Sequence, residues 1–218
     1  RDMIESIRLF SYLLGTKKKL IFLSSGGTVY GNQKIQPIKE DVMALPINHY
    51  GNVKLCIENT MRVFNTQMHS KMLIARISNP YGPGQDFNKG VGFIDAAIKK
   101  AMLGDVLEIW GNGDTVRDYI YIDDVCEMLY SLIDYSGEEE VFNISSGIGT
   151  SQNDIINIVE DKIRKINIIY KDRRSVDVNK IILDNSKISN VCDIKLISLE
   201  NGIEKTIDHL KKYQNIWK

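Results

Sequence analysis

The chain has 218 residues, with 28 Lys and Arg against 28 Asp and Glu, a formal net charge of zero, 43% apolar and 26% charged residues, which bounds it to one or two ordinary globular domains. The balanced charge gives no electrostatic reason to expect a nucleic-acid or membrane partner, and the one basic run, Lys17 to Lys19, reads as a solvated helix end. Cys56, Cys126 and Cys192 lie far apart with only three histidines to help, so neither a disulfide framework nor a metal site is expected, and with no long apolar run or leader-like start the expected compartment is the cytoplasm.

Met3, Ile4, Ile7, Phe10, Leu13 and Leu14 recur at helical spacing, and Gly15 stands where a left-handed cap would fall. The period then changes: Lys19 to Ser24 is a short apolar run leading into Ser25-Gly-Gly-Thr28, the composition of a buried parallel strand ending in a tight loop. A helix is predicted from about Tyr50 to Thr66 and a buried strand from Met72 to Ile77. Phe93 to Ala101 form a helix closed by Gly104, Val106 to Trp110 a strand, Gly111 to Asp114 a turn and Arg117 to Ile122 an extended segment. Asp124 to Tyr135 reads as helix and Val141 to Ile144 as strand, and Thr150 or Ser151 can cap the helix carrying Ile155, Ile156 and Val159. Asn167 to Tyr170 and Lys180 to Leu183 are short strands, and Ser198 caps a last helix. Strands alternating with helices predict an α/β fold with a mainly parallel, Rossmann-like sheet. Shorter, loop-separated elements after Gly82 predict a smaller substrate-binding lobe: residues 1–81 would be the C-terminal part of a Rossmann-like domain, and 82–218 the lobe, with segments returning to the sheet.

Tyr50 and Lys54 stand four residues apart at the start of a helix, which puts both side chains on one face. A free phenol, with a pKa near ~10, is a poor base unless a neighbouring cation favours its phenolate; Lys54 would do that, and a hydroxyl from the Ser24 to Thr28 segment would position the same substrate oxygen. By itself the pair is weak, because Tyr and Lys fall four apart often by chance.

Its context is stronger. Ser-Ser-Gly-Gly-Thr-Val-Tyr-Gly (24 to 31), Tyr-Gly-Asn-Val-Lys (50 to 54), Arg-Ile-Ser-Asn-Pro-Tyr-Gly-Pro-Gly (76 to 84) and Gly-Asn-Gly-Asp-Thr-Val-Arg-Asp-Tyr-Ile-Tyr-Ile-Asp-Asp-Val (111 to 125) follow in order. Together they resemble the extended short-chain dehydrogenases/reductases, and within them the NAD-dependent nucleotide-sugar epimerase/dehydratase family typified by UDP-glucose 4-epimerase. The resemblance implies that Tyr50 is the catalytic acid/base and that Lys54 assists it while bonding the nicotinamide ribose of NAD, with Ser24 also at the cofactor. It implies that Asn79 contacts the sugar diphosphate, that Arg117 binds the diphosphate through a guanidinium fork suited to phosphates, and that Arg174 and Asp177 hold phosphate and ribose. The position that carries the family's catalytic Ser or Thr is Gly26 here, so Thr28 or Ser25 would take that role. Gly27-Thr28 stands where dehydratases carry an Asp-Glu pair, which disfavours elimination.

Nothing matches the family's N-terminal Gly-x-x-Gly-x-x-Gly turn, where the dinucleotide pyrophosphate binds, and the chain opens at Arg1 rather than Met. At about 30 residues per strand-helix unit, roughly 90 residues would precede it, and the isolated chain is expected to be inactive. The implied function is a UDP-hexose 4-epimerase passing through a transient 4-keto sugar. The alternatives are a 4,6-dehydratase or 4-keto reductase, or a non-catalytic nucleotide-sugar-binding remnant. A homodimer, formed through two helices beside the sheet, is the family-level expectation.

Overall fold

A computed structural model describes residues 2–16, 18–85, 92–172 and 178–212. In chain order these form α1 (Asp2–Leu13), β1 (Ile21–Ser25), α2 (Gly26–Val29), α3 (His49–Met68), β2 (Leu73–Ile77), β3 (Asn79–Tyr81), α4 (Phe93–Leu103), β4 (Val106–Trp110), β5 (Val116–Tyr121), α5 (Ile122–Ser131), β6 (Val141–Ile144), β7 (Gly149–Ser151), α6 (Gln152–Lys162), β8 (Asn167–Lys171), β9 (Lys180–Ile181), α7 (Ser186–Ser189) and α8 (Leu199–Lys212).

β1, β2 and β6 make a parallel sheet in that order, with Ile21 opposite Leu73 and Ile74 opposite Val141. β2 lies in the middle with Leu73 to Arg76 all buried, which explains why it reads as an unbroken run rather than an alternation. Its side chains serve two cores in turn. Ile74 joins Phe10, Ile57, Met61 and Val141 under α1 and α3, while Leu73 and Ala75 join Val125, Met128, Leu132, Phe142 and Ile188 under α5 and α7. Each such large aliphatic side chain contributes about 1.5–3 kcal/mol by leaving water. The result is helices on both faces of a parallel sheet, the doubly wound arrangement.

Most of the remaining elements form a third core. β5 pairs in parallel with β3 and β9 and antiparallel with β7, and β4 pairs in parallel with β8. Ile94, Ile98, Leu107, Ile109, Ile155, Val159, Ile203 and Ile207 pack together beneath α4, α6 and α8. Tyr81 and Tyr121 meet edge to face at 5.7 Å beside them.

Gly15 (φ 74°) and Gly104 (φ 76°) end α1 and α4 in the left-handed conformation their positions predict. Ser151 caps α6 in a reciprocal box with Asp154. Three differences from the sequence reading have physical causes. The segment after β1 is not the loop that its composition predicts but winds directly into the single turn of α2. β3, β7 and α7 are three or four residues long, too short for a periodicity to show. α5 starts at Ile122 and ends at Ser131, four residues before the expected Tyr135.

Candidate functional site

Asn48 caps α3, its side-chain oxygen accepting from the Gly51 amide at 2.8 Å. A Cβ at residue 51 would lie 2.7 Å from the Thr28 carbonyl oxygen; glycine there lets the first turn of α3 press against α2 and sets Tyr50 beside the end of β1. Tyr50 is 57% exposed. One turn on, Lys54 Nζ donates to the Leu23 carbonyl at 2.9 Å and stands 4.8 Å from the Phe22 ring centre and 5.7 Å from that of Tyr50. The Thr28 hydroxyl leans back on the Ser25 carbonyl at 3.5 Å. Tyr50, Lys54, Ser25 and Thr28 therefore gather at the carboxyl end of β1, the side of an open α/β sheet where ligands bind.

Ser24 lies deeper. It is buried and donates to Glu58 Oε1 at 2.5 Å. Glu58 in turn accepts Arg76 Nη2 at 2.6 Å and Arg76 Nε at 3.1 Å on Oε1 and 3.2 Å on Oε2, with both residues essentially without solvent contact. The Arg76 guanidinium lies 4.7 Å from the Tyr30 ring centre and donates to the Glu40 carbonyl. Tyr30 Oη donates to Asn143 Oδ1 at 2.7 Å, and the Asn143 amide donates to Glu40 Oε1 at 2.9 Å. Burial pushes the Tyr30 phenol up to about 12, against the opposing pull of Arg76, and burial likewise raises the Glu40 carboxyl. Of this cluster the sequence reading singles out Ser24 alone, as a cofactor residue, and here the Ser24 side chain is buried against Glu58.

Asn79 and Arg117 face a cavity of about 640 Å³ between β3, β5, α4 and the start of α6, together with Thr115, Tyr119, Asp95 and Gln152. Asn79 Nδ2 donates to the Asp118 carbonyl at 3.1 Å. A Cβ on Gly27 would lie 3.6 Å from Asn79 Oδ1, so Asn79 connects the cavity with the turn beside Tyr50. Arg117 Nη1 donates to its neighbouring carbonyl at Val116 at 2.8 Å. Beside it, Asp118 is fully buried and accepts from the amides of Ser146, Gly147 and Leu183 and from the hydroxyls of Ser146 and Ser78. Burial raises its carboxyl and these donors oppose the shift. Asp118 thus ties the segments after β6 and β9 to the strand that carries Arg117. Arg174 and Asp177 lie outside the described residues.

Asp95 and Gln152 were not singled out by sequence. An acid in the first turn of a helix is the ordinary complement to the helix dipole, and nothing in the spacing marks it as buried. Among the described residues no helix is long and apolar enough to cross a membrane.

A doubly wound sheet with a Tyr/Lys pair at its carboxyl edge is the arrangement that the resemblance to the extended short-chain dehydrogenases/reductases implies. Residues 1–145 match the sequence profile of the NAD dependent epimerase/dehydratase family, and the chain belongs to that family. It is 34% identical over 196 residues to a dTDP-4-dehydro-6-deoxyglucose reductase of Escherichia coli, covering 89% of this chain and 62% of the reductase, so it spans less than two thirds of that relative's length. Its fold is similar to the crystal structure of UDP-glucose 4-epimerase with UDP-glucose from Thermotoga maritima, with a TM-score of 0.90 and 33% identity over 97% of this chain and 69% of the other. It is also similar to the UDP-glucuronic acid 4-epimerase of Bacillus cereus in complex with UDP-glucuronic acid and NAD, with a TM-score of 0.88 and 25% identity over 98% of this chain and 68% of the other.

Proposed function

We propose that the protein carrying this chain is an NAD-dependent nucleotide-sugar 4-epimerase acting on a UDP-hexose, cytoplasmic and homodimeric. The observation that carries this reading is Lys54, fixed on the Leu23 carbonyl with its ammonium 5.7 Å from the Tyr50 ring centre. The residues present suit the nicotinamide-ribose end of NAD: a phenol and an ammonium one helical turn apart at the carboxyl end of a parallel strand. NAD, when bound, supplies the redox half of the reaction at the sugar's C4. The rest falls to the chain. Tyr50 takes the proton from the 4-hydroxyl and returns it, Lys54 stabilises the negative charge that the phenol acquires, and Ser25 or Thr28 positions the same oxygen. Asn79 and Arg117 hold the diphosphate, with Arg174 and Asp177 assigned phosphate and ribose by resemblance, and 1–81 and 82–218 are the corresponding catalytic and substrate-binding parts. The homodimer reading is supported by exposed Met3, Ile4, Leu9 and Tyr12 on α1 and Val53 and Val63 on α3.

A 4-keto reductase is the second reading, favoured by the reductase among the relatives. Product analysis separates the two, since an epimerase conserves redox state and a reductase consumes reduced cofactor. In the full-length protein, Tyr50→Phe is expected to lower turnover by about 10²–10⁴-fold with nucleotide-sugar binding unchanged; turnover equal to the parent's would overturn the acid/base assignment.

A further inference from the structure

Among the described residues, the buried side-chain atoms that meet no hydrogen-bond partner are both carboxylate oxygens of Asp95 and Oε1 of Gln152. Both residues line the same cavity. Asp95, in the first turn of α4, is 2% exposed, and Gln152 opens α6 on another wall. Leaving a buried polar group unpaired forfeits its hydration without compensation, and folds avoid it. This fold does so elsewhere: the buried carboxylates of Glu40, Glu58, Asp118 and Asp124 all accept hydrogen bonds. Burial pushes the Asp95 carboxyl up to about 7, a shift that its own backbone amide opposes. Unpaired groups on residues that line one cavity from two helices mark the place of a ligand.

The chemistry of that ligand follows from the walls. Ionised Asp95 and Gln152 Oε1 are acceptors, whereas Arg117 is the cation among the described residues of the lining. A diphosphate settles against Arg117 and is repelled by Asp95, so the ligand portion at Asp95 and Gln152 must offer N–H or O–H groups. Asn79 touches the turn beside Tyr50 on one side and the cavity on the other. On the nucleotide-sugar reading, on which this inference rests, a substrate with its sugar at Tyr50 passes Asn79 and brings its nucleoside end into the cavity. We propose that Asp95 and Gln152 form an acceptor subsite that selects the nucleotide through hydrogen-bond donors of its nucleoside moiety. Two sources offer that chemistry. A guanine edge presents adjacent N1–H and N2–H donors to one carboxylate, where uracil has a single N–H between two carbonyls; ribose presents its 2′- and 3′-hydroxyls.

The test is calorimetric titration of the full-length protein, as wild type, Asp95→Leu and Gln152→Leu, with GDP, UDP and 2′-deoxy-UDP. Each substitution is expected to weaken the preferred nucleotide tenfold or more, while Asp95→Leu raises the thermal midpoint of the ligand-free protein. Asp95→Asn, which keeps the size and an acceptor, is expected to retain part of the affinity and guards against misfolding of the leucine variants. A preference for GDP over UDP that collapses in Asp95→Leu assigns the donor to the base. A preference for UDP over 2′-deoxy-UDP that collapses assigns it to the 2′-hydroxyl, and an equal loss for all three assigns it to a donor they share. Wild-type affinities in every variant overturn the subsite and leave the nucleotide-sugar reading standing; a folded wild type that binds none of the three overturns both.

Discussion

Glu58 and Asp95 are both acids buried to within 2% of full enclosure, and their surroundings are opposite. Beneath the carboxyl end of the first sheet, Glu58 meets Arg76 and Ser24, and the hydrogen bonds continue through Tyr30, Asn143 and Glu40. On the wall of the cavity between β3, β5, α4 and α6, the Asp95 carboxylate oxygens meet no partner. Buried charge is therefore a poor sign of function in this chain, and whether the charge is paired is a good one. The paired cluster is scaffold, set under a Tyr50 and Lys54 pair that is itself more accessible, whereas the unpaired wall is shaped for something that arrives from outside.

The sharpest way to break this contrast is at Glu58. Glu58→Ala strands the Arg76 guanidinium, 1% exposed, in an apolar interior, and breaking a buried ion pair from one side costs about 3–5 kcal/mol. Urea unfolding is expected to show a loss of that size, and Glu58→Gln, which still accepts hydrogen bonds, a smaller one. A loss from Glu58→Ala below about 1 kcal/mol would mean that the paired cluster is no more structural than the cavity wall.

Asp95 is expected to behave with the opposite sign and to depend on pH. Its ordinary carboxyl value is 3.8 and its folded value about 7, so between those limits the folded chain binds more protons than the unfolded one. The stability contributed by Asp95 is therefore full below about pH 4, falls as pH rises toward 7 and levels off above it, by at most about 4 kcal/mol at 1.36 kcal/mol per pH unit. The ionisable groups lining the same cavity among the described residues are Arg117, charged throughout, and Tyr81 and Tyr119, whose phenols burial raises further from this range. Thermal midpoints at pH 5 and pH 8 are expected to differ more for the wild type than for Asp95→Leu. Equal slopes for the two proteins would show that Asp95 titrates as an ordinary exposed acid.

The contrast also explains what could be read in advance. Periodicity located α1, α3, α4 and the three strands of the first sheet because each is long enough, or apolar enough, for burial to impose a pattern on residue order. The Tyr50, Lys54 and Arg117 assignments came from motif order, and Asn79 entered through the same motif. No local pattern announces that Glu58 on α3 will meet Arg76 on β2, or that Asp118 will gather amides from segments 28 and 65 residues further along, since those pairings exist only after the sheet has formed. Asp95 and Gln152 were illegible for a different reason. At the start of a helix an acid or an amide looks like ordinary end chemistry, and only the tertiary walls distinguish a solvated cap from an unpaired group.

Ser151 offers the smallest and most local comparison, because it is adjacent in sequence to Gln152 and opposite to it in circumstance. Its hydroxyl donates to Asp154 Oδ2 at 2.6 Å and accepts from the Asp154 amide at 3.1 Å, while Asp154 Oδ2 also accepts from the Ser151 amide. The Ser151 hydroxyl and both amides of this box are satisfied within the first turn of α6, whereas Gln152 one residue on carries an unpaired oxygen and lines the cavity. Ser151→Ala is expected to destabilise the fold by about 1 kcal/mol, the ordinary worth of an N-cap, and to leave nucleoside diphosphate affinity unchanged. Gln152→Leu is expected to do the reverse, weakening binding with little effect on unfolding. If both replacements moved the same observable, the cap and the cavity wall would be one mechanical unit, and α6 would act by placing Gln152 rather than by carrying two independent neighbours.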